Sequence, residues 1–119
     1  MFTTPVLLVD VDDELAGLLA RVLAPLGLAT VVATEGESAL RLARDQPPRA
    51  AIVGPAQLPA LRALRALPGG AALPGVILLA EGDEAPLLHP ADHLLRRPFR
   101  FETLVQMLVP TRPAAPTSE

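Results

Sequence analysis

The fold is decided by residues 5–27, which read PVLLVDVDDELAGLLARVLAPLG. After Pro5, the run VLLV is short and wholly apolar, which is typical of a strand buried on both faces. The apolar residues that follow recur at helical spacing and predict one inward face: Leu15, Leu18, Leu19, Val22, Leu23 and Leu26. Asp12 or Asp13 can cap this helix, and Gly27 suits the position after its end. The stretch predicts a strand, an acidic loop and an amphipathic helix.

The same alternation continues to the last third of the chain. Strands are predicted at 28–33, 50–53, 76–79 and around Leu94 and Leu95. Helices are predicted at 36–45, from Pro59 to about 67, and at 99–109. In the third helix the leucines are expected to face inward, whereas Arg62 and Arg65 are expected to face outward. The segment 81–90 contains Gly82, Pro86 and Pro90, so a long helix is not predicted there.

Short apolar strands that alternate with helices predict a doubly wound α/β domain with a five-stranded parallel sheet. We expect one domain over residues 1–109 and a disordered tail or linker stub over 110–119, PTRPAAPTSE. In such folds ligands bind at the carboxyl ends of the strands. The residues that follow the strands there are Asp10, Gly54, Ala80 and Arg97.

Composition excludes several classes of function. The net charge is −3, so bulk electrostatic binding to nucleic acid is not expected. No apolar run approaches the roughly 20 residues that span a bilayer, and MFTTP lacks the basic region of a signal peptide. The chain has no cysteine, which permits a cytoplasmic location. No nucleophile with a His and an acid, and no phosphate-binding glycine motif, is present, so the chain is not expected to be an enzyme.

Three segments resemble the receiver domain of response regulators, the CheY-like family. VLLVD, TEGESALRLARDQPP and HPADHLLRRPF are similar to the family's first strand, its second-helix segment and its G-A-D-D-Y-L-x-K-P-F motif. The order and spacing of these segments match over about residues 5–109. The resemblance implies a flavodoxin-like sheet with strand order 2-1-3-4-5. It also implies a bacterial, cytoplasmic role in two-component, phosphorelay signal transduction.

The resemblance also locates the residues of the family's phosphorylation cleft. Asp10 matches the first of two acids that hold Mg²⁺, but Val11 replaces the second, and Gly54 replaces the aspartate that accepts the phosphoryl group. Ala80 replaces the hydroxyl residue after the fourth strand. The Lys-Pro pair becomes Arg97-Pro98, whose peptide bond is cis if it follows the family. The sequence therefore predicts a pseudo-receiver that is not itself phosphorylated.

Two side chains near the cleft leave alternatives open. Asp12 could approach a metal with Asp10, or it could cap the first helix, which is the commoner role of Asp in this position. Arg97 could pair with Asp10, or it could be an exposed arginine of little energetic weight. We expect neither a cofactor nor bound Mg²⁺, since Asp10 alone supplies few oxygen ligands. Asp45 and Asp83 are the candidates for a displaced acceptor, and both are expected to be surface or turn residues.

Function is expected to lie on the surface. The chain between Ala80 and Arg97 is shorter than usual in the family, so the fourth helix is predicted to be shortened or missing. The predicted interaction face contains Leu94, Arg96, Arg100 and Leu104. Its partner would be another signalling protein, an output domain or a second copy through the fifth strand and last helix. Two alternatives stay open: a small ligand in the vacated cleft, or a regulator with a displaced acceptor.

Overall fold

The computed structural model describes residues 4–80, 90, 92–96 and 99–108. Five strands form one parallel sheet in the order β2-β1-β3-β4-β5, which confirms the predicted fold class. The strands are β1 (Val6–Val9), β2 (Thr30–Ala33), β3 (Ala50–Val53), β4 (Gly75–Leu79) and β5 (Asp92–Arg96). The helices are α1 (Asp13–Leu23), α2 (Gly36–Asp45), α3 (Leu58–Arg65) and α4 (Phe101–Leu108).

Two apolar clusters cover the two faces of the sheet. The first cluster packs α1 and α4 against one face and includes Leu8, Leu19 and Leu104. The second packs α2 and α3 against the other and includes Leu7, Leu61 and Leu64. Adjacent residues Leu7 and Leu8 enter opposite clusters because side chains alternate along a strand. The three central strands, β1, β3 and β4, are buried throughout.

The edge strands differ from the expectation that every strand is apolar and buried on both faces. In β2, Val32 is 47% exposed, and in β5 only Leu95 is fully buried. An edge strand has a neighbour on one side alone, so helices cover it incompletely. The prediction of double burial is therefore correct for the three central strands and wrong for the two edges.

The inward face of α1 is narrower than its leucine pattern suggests. Leu15, Leu19 and Leu23 are buried, whereas Leu18 is 40% exposed and Leu26 is 51% exposed. The spacing of four residues keeps the first three on one side, and Ala16 supplies the remaining contact with the sheet. Gly27 ends the segment with a φ of 78°, a left-handed conformation that favours glycine. The predicted end is confirmed, but the inward placement of Leu18 and Leu26 is wrong.

Several predictions concern residues outside the described part of the chain. They are the shortened or missing fourth helix, the Arg97-Pro98 pair, the placement of Asp83 and the tail at 110–119. Within the described ranges, no helix has both the length and the apolar character needed to cross a membrane.

Candidate functional site

The candidate site lies at the carboxyl edge of the sheet, where β1 and β3 end side by side. Val9 is the register partner of Val53 in the parallel ladder. Asp10 follows Val9 and Gly54 follows Val53, so Asp10 and Gly54 are adjacent at this edge. Ala80 follows β4, the next strand across, and completes the row. The structure therefore brings together the three described residues that the sequence placed in the cleft.

Asp10 holds an unusual backbone conformation. Its φ is 55°, the one described non-glycine residue with a positive φ. This left-handed region costs a non-glycine residue on the order of 1–3 kcal/mol, although Asp tolerates it better than most. The backbone N–H of Asp10 donates to the Ala33 carbonyl at 2.9 Å, which ties this position to the end of β2. The exposed carboxylate is thus held at the edge by strand pairing on both sides of β1.

The partner of Asp10 is Gln57, which the sequence reasoning missed. The Gln57 amide Nε2 donates to Asp10 Oδ2 at 3.3 Å. Gln57 reaches this position because Pro55–Gln57 forms a 3-10 turn directly after Gly54, closed by a Gln57 N–H to Gly54 carbonyl bond of 3.0 Å. The signal in the sequence was an amide side chain three residues after Gly54, in a loop at the same edge. A neutral amide therefore contacts the single acid of the cleft.

Gly54 is not required by the backbone. Its φ of −83° and ψ of 169° are extended values that any residue adopts. A Cβ added there would meet no heavy atom within 4 Å. Neither strain nor crowding explains the glycine, so the local fold would accept an aspartate. What the site lacks at this position is a nucleophilic side chain.

The residues that follow Asp10 do not complete a metal site. Val11 is partly buried against the first cluster, where a second acid would be needed. Asp12 caps α1, with its Oδ2 accepting from the Leu15 N–H at 3.4 Å, so the capping alternative is confirmed. No group of three His, Cys, Asp or Glu side chains converges anywhere in the described ranges. Mg²⁺ prefers several oxygen ligands in octahedral geometry, and the described residues at this edge contribute one carboxylate that is not engaged at a helix start, that of Asp10.

The far side of the cleft is formed by Ala80 and Arg96. Ala80 is exposed and presents no hydroxyl, while its carbonyl accepts from Arg96 Nη1 at 3.1 Å. Arg96 thereby folds across the ends of β4 and β5. The predicted Arg97–Asp10 pair lies outside the described residues and stays a prediction. Asp45, a candidate displaced acceptor, is the last residue of α2 and lies at the opposite edge of the sheet.

The predicted interaction face does not form one surface. Leu94 packs partly buried against the second cluster, whereas Arg100 precedes α4 on the other face of the sheet. Leu104 has 0% exposure within the first cluster, so its inclusion in a surface is wrong. The prediction fails because α4 packs Leu104 against the sheet. Arg96 and Arg100 are exposed and remain candidates for contact with a partner.

A buried ion pair was also missed. Arg65 of α3 pairs through Nη2 with Asp92 of β5, and its Nε donates to the Leu73 carbonyl at 3.0 Å. The side chains of Arg65 and Asp92 are 9% and 4% exposed. The prediction that Arg65 faces outward is therefore wrong. Arg65 lies four residues after Leu61, on the inward side of α3, and that spacing was the available signal.

Gly75 makes room for this pair. It is the register partner of Asp92, and a Cβ there would lie 2.9 Å from Asp92 Oδ1 and 2.6 Å from Leu61 Cδ2. The glycine at the start of β4 allows the guanidinium to cross beneath the strand to β5. The pair therefore fastens the edge strand to α3.

Comparison with solved structures places this architecture among response-regulator receivers. A candidate response regulator from Chloroflexus aurantiacus J-10-fl is 28% identical, with a TM-score of 0.69 over 87% of this chain and 93% of that chain. A response regulator receiver protein from Sinorhizobium medicae WSM419 is 17% identical, with a TM-score of 0.73 over 89% and 91% of the two chains. The chemotaxis response regulator CheY4 of Vibrio cholerae is 22% identical, with a TM-score of 0.73 over 90% and 97%. No protein-family model and no curated protein matches the sequence.

These likenesses agree with the strand order and with the arrangement of helices on both faces of the sheet. The fold of this chain is therefore the CheY-like receiver fold, a five-stranded parallel sheet in the order 2-1-3-4-5.

Proposed function

We propose that this chain is a receiver-like signalling domain of the two-component type that is not phosphorylated and acts through protein–protein contacts. One observation carries the proposal: Gly54 occupies the position after β3, beside Asp10, with no side chain and no crowding. The receiver fold of the neighbours supports the signalling role. A location in the cytoplasm follows from the same role.

The chemistry of phosphoryl transfer supports the first half of the proposal. The reaction depends on a carboxylate nucleophile, a metal and cations that stabilise the charge on the transferred group. Here the acceptor position is Gly54, the second acid position is Val11, and Asp12 is engaged as a helix cap. We therefore propose a domain without catalytic activity and without resident Mg²⁺.

Beryllofluoride, which mimics a phosphoryl group on a carboxylate, tests this proposal. The chain is titrated with Mg²⁺ and beryllofluoride and followed by ¹⁹F NMR, beside the Gly54→Asp variant. We expect no bound fluoride resonance for the wild-type chain. A stable wild-type complex would overturn the proposal, whether or not the variant also binds. The variant tests whether one carboxylate suffices, since Val11 and Ala80 remain unsuited to the chemistry.

The partner is proposed to contact two exposed arginines, Arg96 at the end of β5 and Arg100 just before α4. In NtrX from Brucella abortus, the matched region is 25% of that chain, so the same fold occurs within a longer chain. This supports an output domain or another signalling protein as the partner, with a second copy of the chain as the alternative.

The partner surface is tested by capture from the native host and identification by mass spectrometry. The double variant Arg96→Gln/Arg100→Gln should lose the specifically captured protein. The matched control Arg21→Gln/Arg62→Gln removes the same charge from exposed positions on α1 and α3 and should retain it. Equal capture by both variants would contradict the proposed contact.

A second candidate function is the binding of a small ligand in the vacated cleft. The open space around the Gly54 Cα favours it, because a larger side chain is absent and Asp10 lies beside it. Fragment titration followed by ¹H–¹⁵N NMR tests this function. Shifts at Asp10, Gly54 and Gln57 that disappear in Gly54→Leu would support it, and their absence for anionic, neutral and cationic fragments would count against it.

A further inference from the structure

A pocket of about 720 Å³ lies at the opposite edge of the sheet from the candidate site. Its walls come from the segments that precede β3 and β4 and from the last turns of α2 and α3. Because all strands are parallel, the amino ends of β3 and β4 are far from Asp10 and Gly54. A pocket of this size falls within the roughly 300–1,000 Å³ range of small-molecule sites. Nothing in the receiver-like role uses it.

The packing of α2 on α3 explains why a pocket opens there. The two helices approach closely at their N-terminal ends, where a Cβ added at Gly36 would lie 3.2 Å from Ala60 Cβ. Toward their C-terminal ends the facing residues become Ala43 on α2 and Leu64 and Leu67 on α3 or just after it. Small residues face each other at one end, and a small residue faces leucines at the other. The pocket opens between the C-terminal ends of the two helices, at the amino edge of the sheet.

The walls of this pocket are rigid. Four prolines line it, at positions 47, 48, 68 and 74. Proline fixes φ, so these wall segments lose little freedom when a ligand binds. A preformed pocket of this kind binds an apolar ligand without first ordering its own backbone.

The lining combines an apolar floor with two positive charges. Leu67 and the four prolines provide accessible apolar surface above the buried Leu64 and Leu73, and Arg44 and Arg49 are the charged residues of the lining. Neither guanidinium forms an ion pair with another residue in the described ranges. Arg44 also compensates the C-terminal end of α2, where carbonyl groups carry about half a negative charge. Arg49 lies beyond the helix, is half-buried, and has no such role.

We propose that this pocket binds an amphiphilic anion, an unbranched aliphatic carboxylate, with the chain on Leu67 and the prolines and the head on Arg49. A guanidinium presents two parallel N–H donors that match a carboxylate, and it keeps its charge at every physiological pH. The apolar floor selects a chain of methylenes over a hydrophilic anion. The rigid proline walls place both parts of the site without a ligand.

A series of carboxylates tests this site on the full chain. Hexanoate, octanoate and decanoate are titrated below their micelle concentrations and followed by ¹H–¹⁵N NMR, with 1-octanol as the neutral ligand of matched length. Shifts are expected at Arg49, Gly69 and Leu73. Each two added methylenes should tighten binding about tenfold, since burial of one contributes about 0.8 kcal/mol. Octanoate should bind more tightly than 1-octanol.

Two variants and a control distinguish the binding of the ligand's carboxylate head from the binding of its aliphatic chain. Arg49→Gln should weaken octanoate about three- to tenfold, the range for losing one partly exposed charged hydrogen bond, while 1-octanol binding stays unchanged. Ala72→Phe fills the mouth of the pocket from an exposed position and should abolish binding of both ligands. Arg21→Gln, on the exposed side of α1, should change neither.

Three results would overturn the proposal. They are an absence of shifts around the pocket at millimolar decanoate, equal affinity for octanoate and 1-octanol, and an Arg49→Gln variant that binds octanoate as the wild type does. Shifts confined to Asp10, Gly54 and Gln57 would also overturn it, and would move the ligand site to the candidate cleft.

Discussion

The ion pair between Arg65 and Asp92 makes a strong prediction about stability. Asp92→Asn keeps the shape of the side chain but leaves the Arg65 guanidinium, 9% exposed, without its counter-charge. Removing one partner of a buried pair costs about 3–5 kcal/mol, because the remaining charge is desolvated and uncompensated. Asparagine still offers an acceptor oxygen, and Arg65 Nε keeps the Leu73 carbonyl. We therefore expect about 3 kcal/mol, at the lower end of that range.

A loss of this size is easy to measure. Domains of this length unfold with free energies of about 5–15 kcal/mol, so a loss of about 3 kcal/mol removes roughly a fifth to three fifths of the stability. Urea unfolding should be followed by far-UV circular dichroism, since the chain has no Trp and no Tyr for fluorescence. The urea concentration at the midpoint of unfolding should fall. The slope of the unfolding free energy against urea concentration should stay constant, because the surface exposed on unfolding is the same.

A double-mutant cycle separates the pair from the single side chains. Arg65→Met alone should also destabilise by about 3–5 kcal/mol, and the double variant should lose less than the sum of the two. Arg62→Met, an exposed arginine on the same helix, is the control and should stay within about 0.5 kcal/mol of the wild type. Single variants that match this control would refute the buried pair.

Three further stability predictions follow from the same assay. Asp12→Ala should cost about 0.5–2 kcal/mol through loss of the α1 cap, and an unchanged midpoint would contradict the capping role. Gly54→Ala should be neutral or stabilise by up to about 1 kcal/mol, because its backbone is extended and its Cβ meets nothing within 4 Å. Leu104→Ala should cost about 2–5 kcal/mol as a core cavity, whereas exposed Leu26→Ala should change little; equal effects would contradict the burial of Leu104.

Local signals account for the elements that the sequence located correctly. The bounds of α2 and β3 coincide with those predicted, since Pro47 and Pro48 end the helix and an unbroken apolar run defines the strand. The cap at Asp12 and the helix end at Gly27 could be predicted for the same reason. Each of these features depends on a few neighbouring residues.

Long-range contacts account for what the sequence did not locate. Gln57 and Asp10 are 47 residues apart, and Arg65 and Asp92 are 27 residues apart. Neither distance leaves a local pattern, and an arginine on a leucine-rich helix is more often exposed. The position of Gly54 at the carboxyl edge was predicted from the strand pattern, and the receiver resemblance matched it to the acceptor position. The contact between the Gln57 amide and Asp10 was not predicted, because it depends on the turn that Pro55–Gln57 forms.

Intact-mass measurement after incubation with Mg²⁺ and a small phosphodonor tests the central claim most directly. The measurement detects a phosphoryl group on any carboxylate of the chain, including a displaced acceptor such as Asp45 or Asp83. We expect the wild-type mass to remain unchanged under conditions that fully modify an active receiver run in parallel. A phosphoryl adduct on any aspartate of the wild-type chain would contradict the proposal that the receiver fold is retained without its phosphorylation switch.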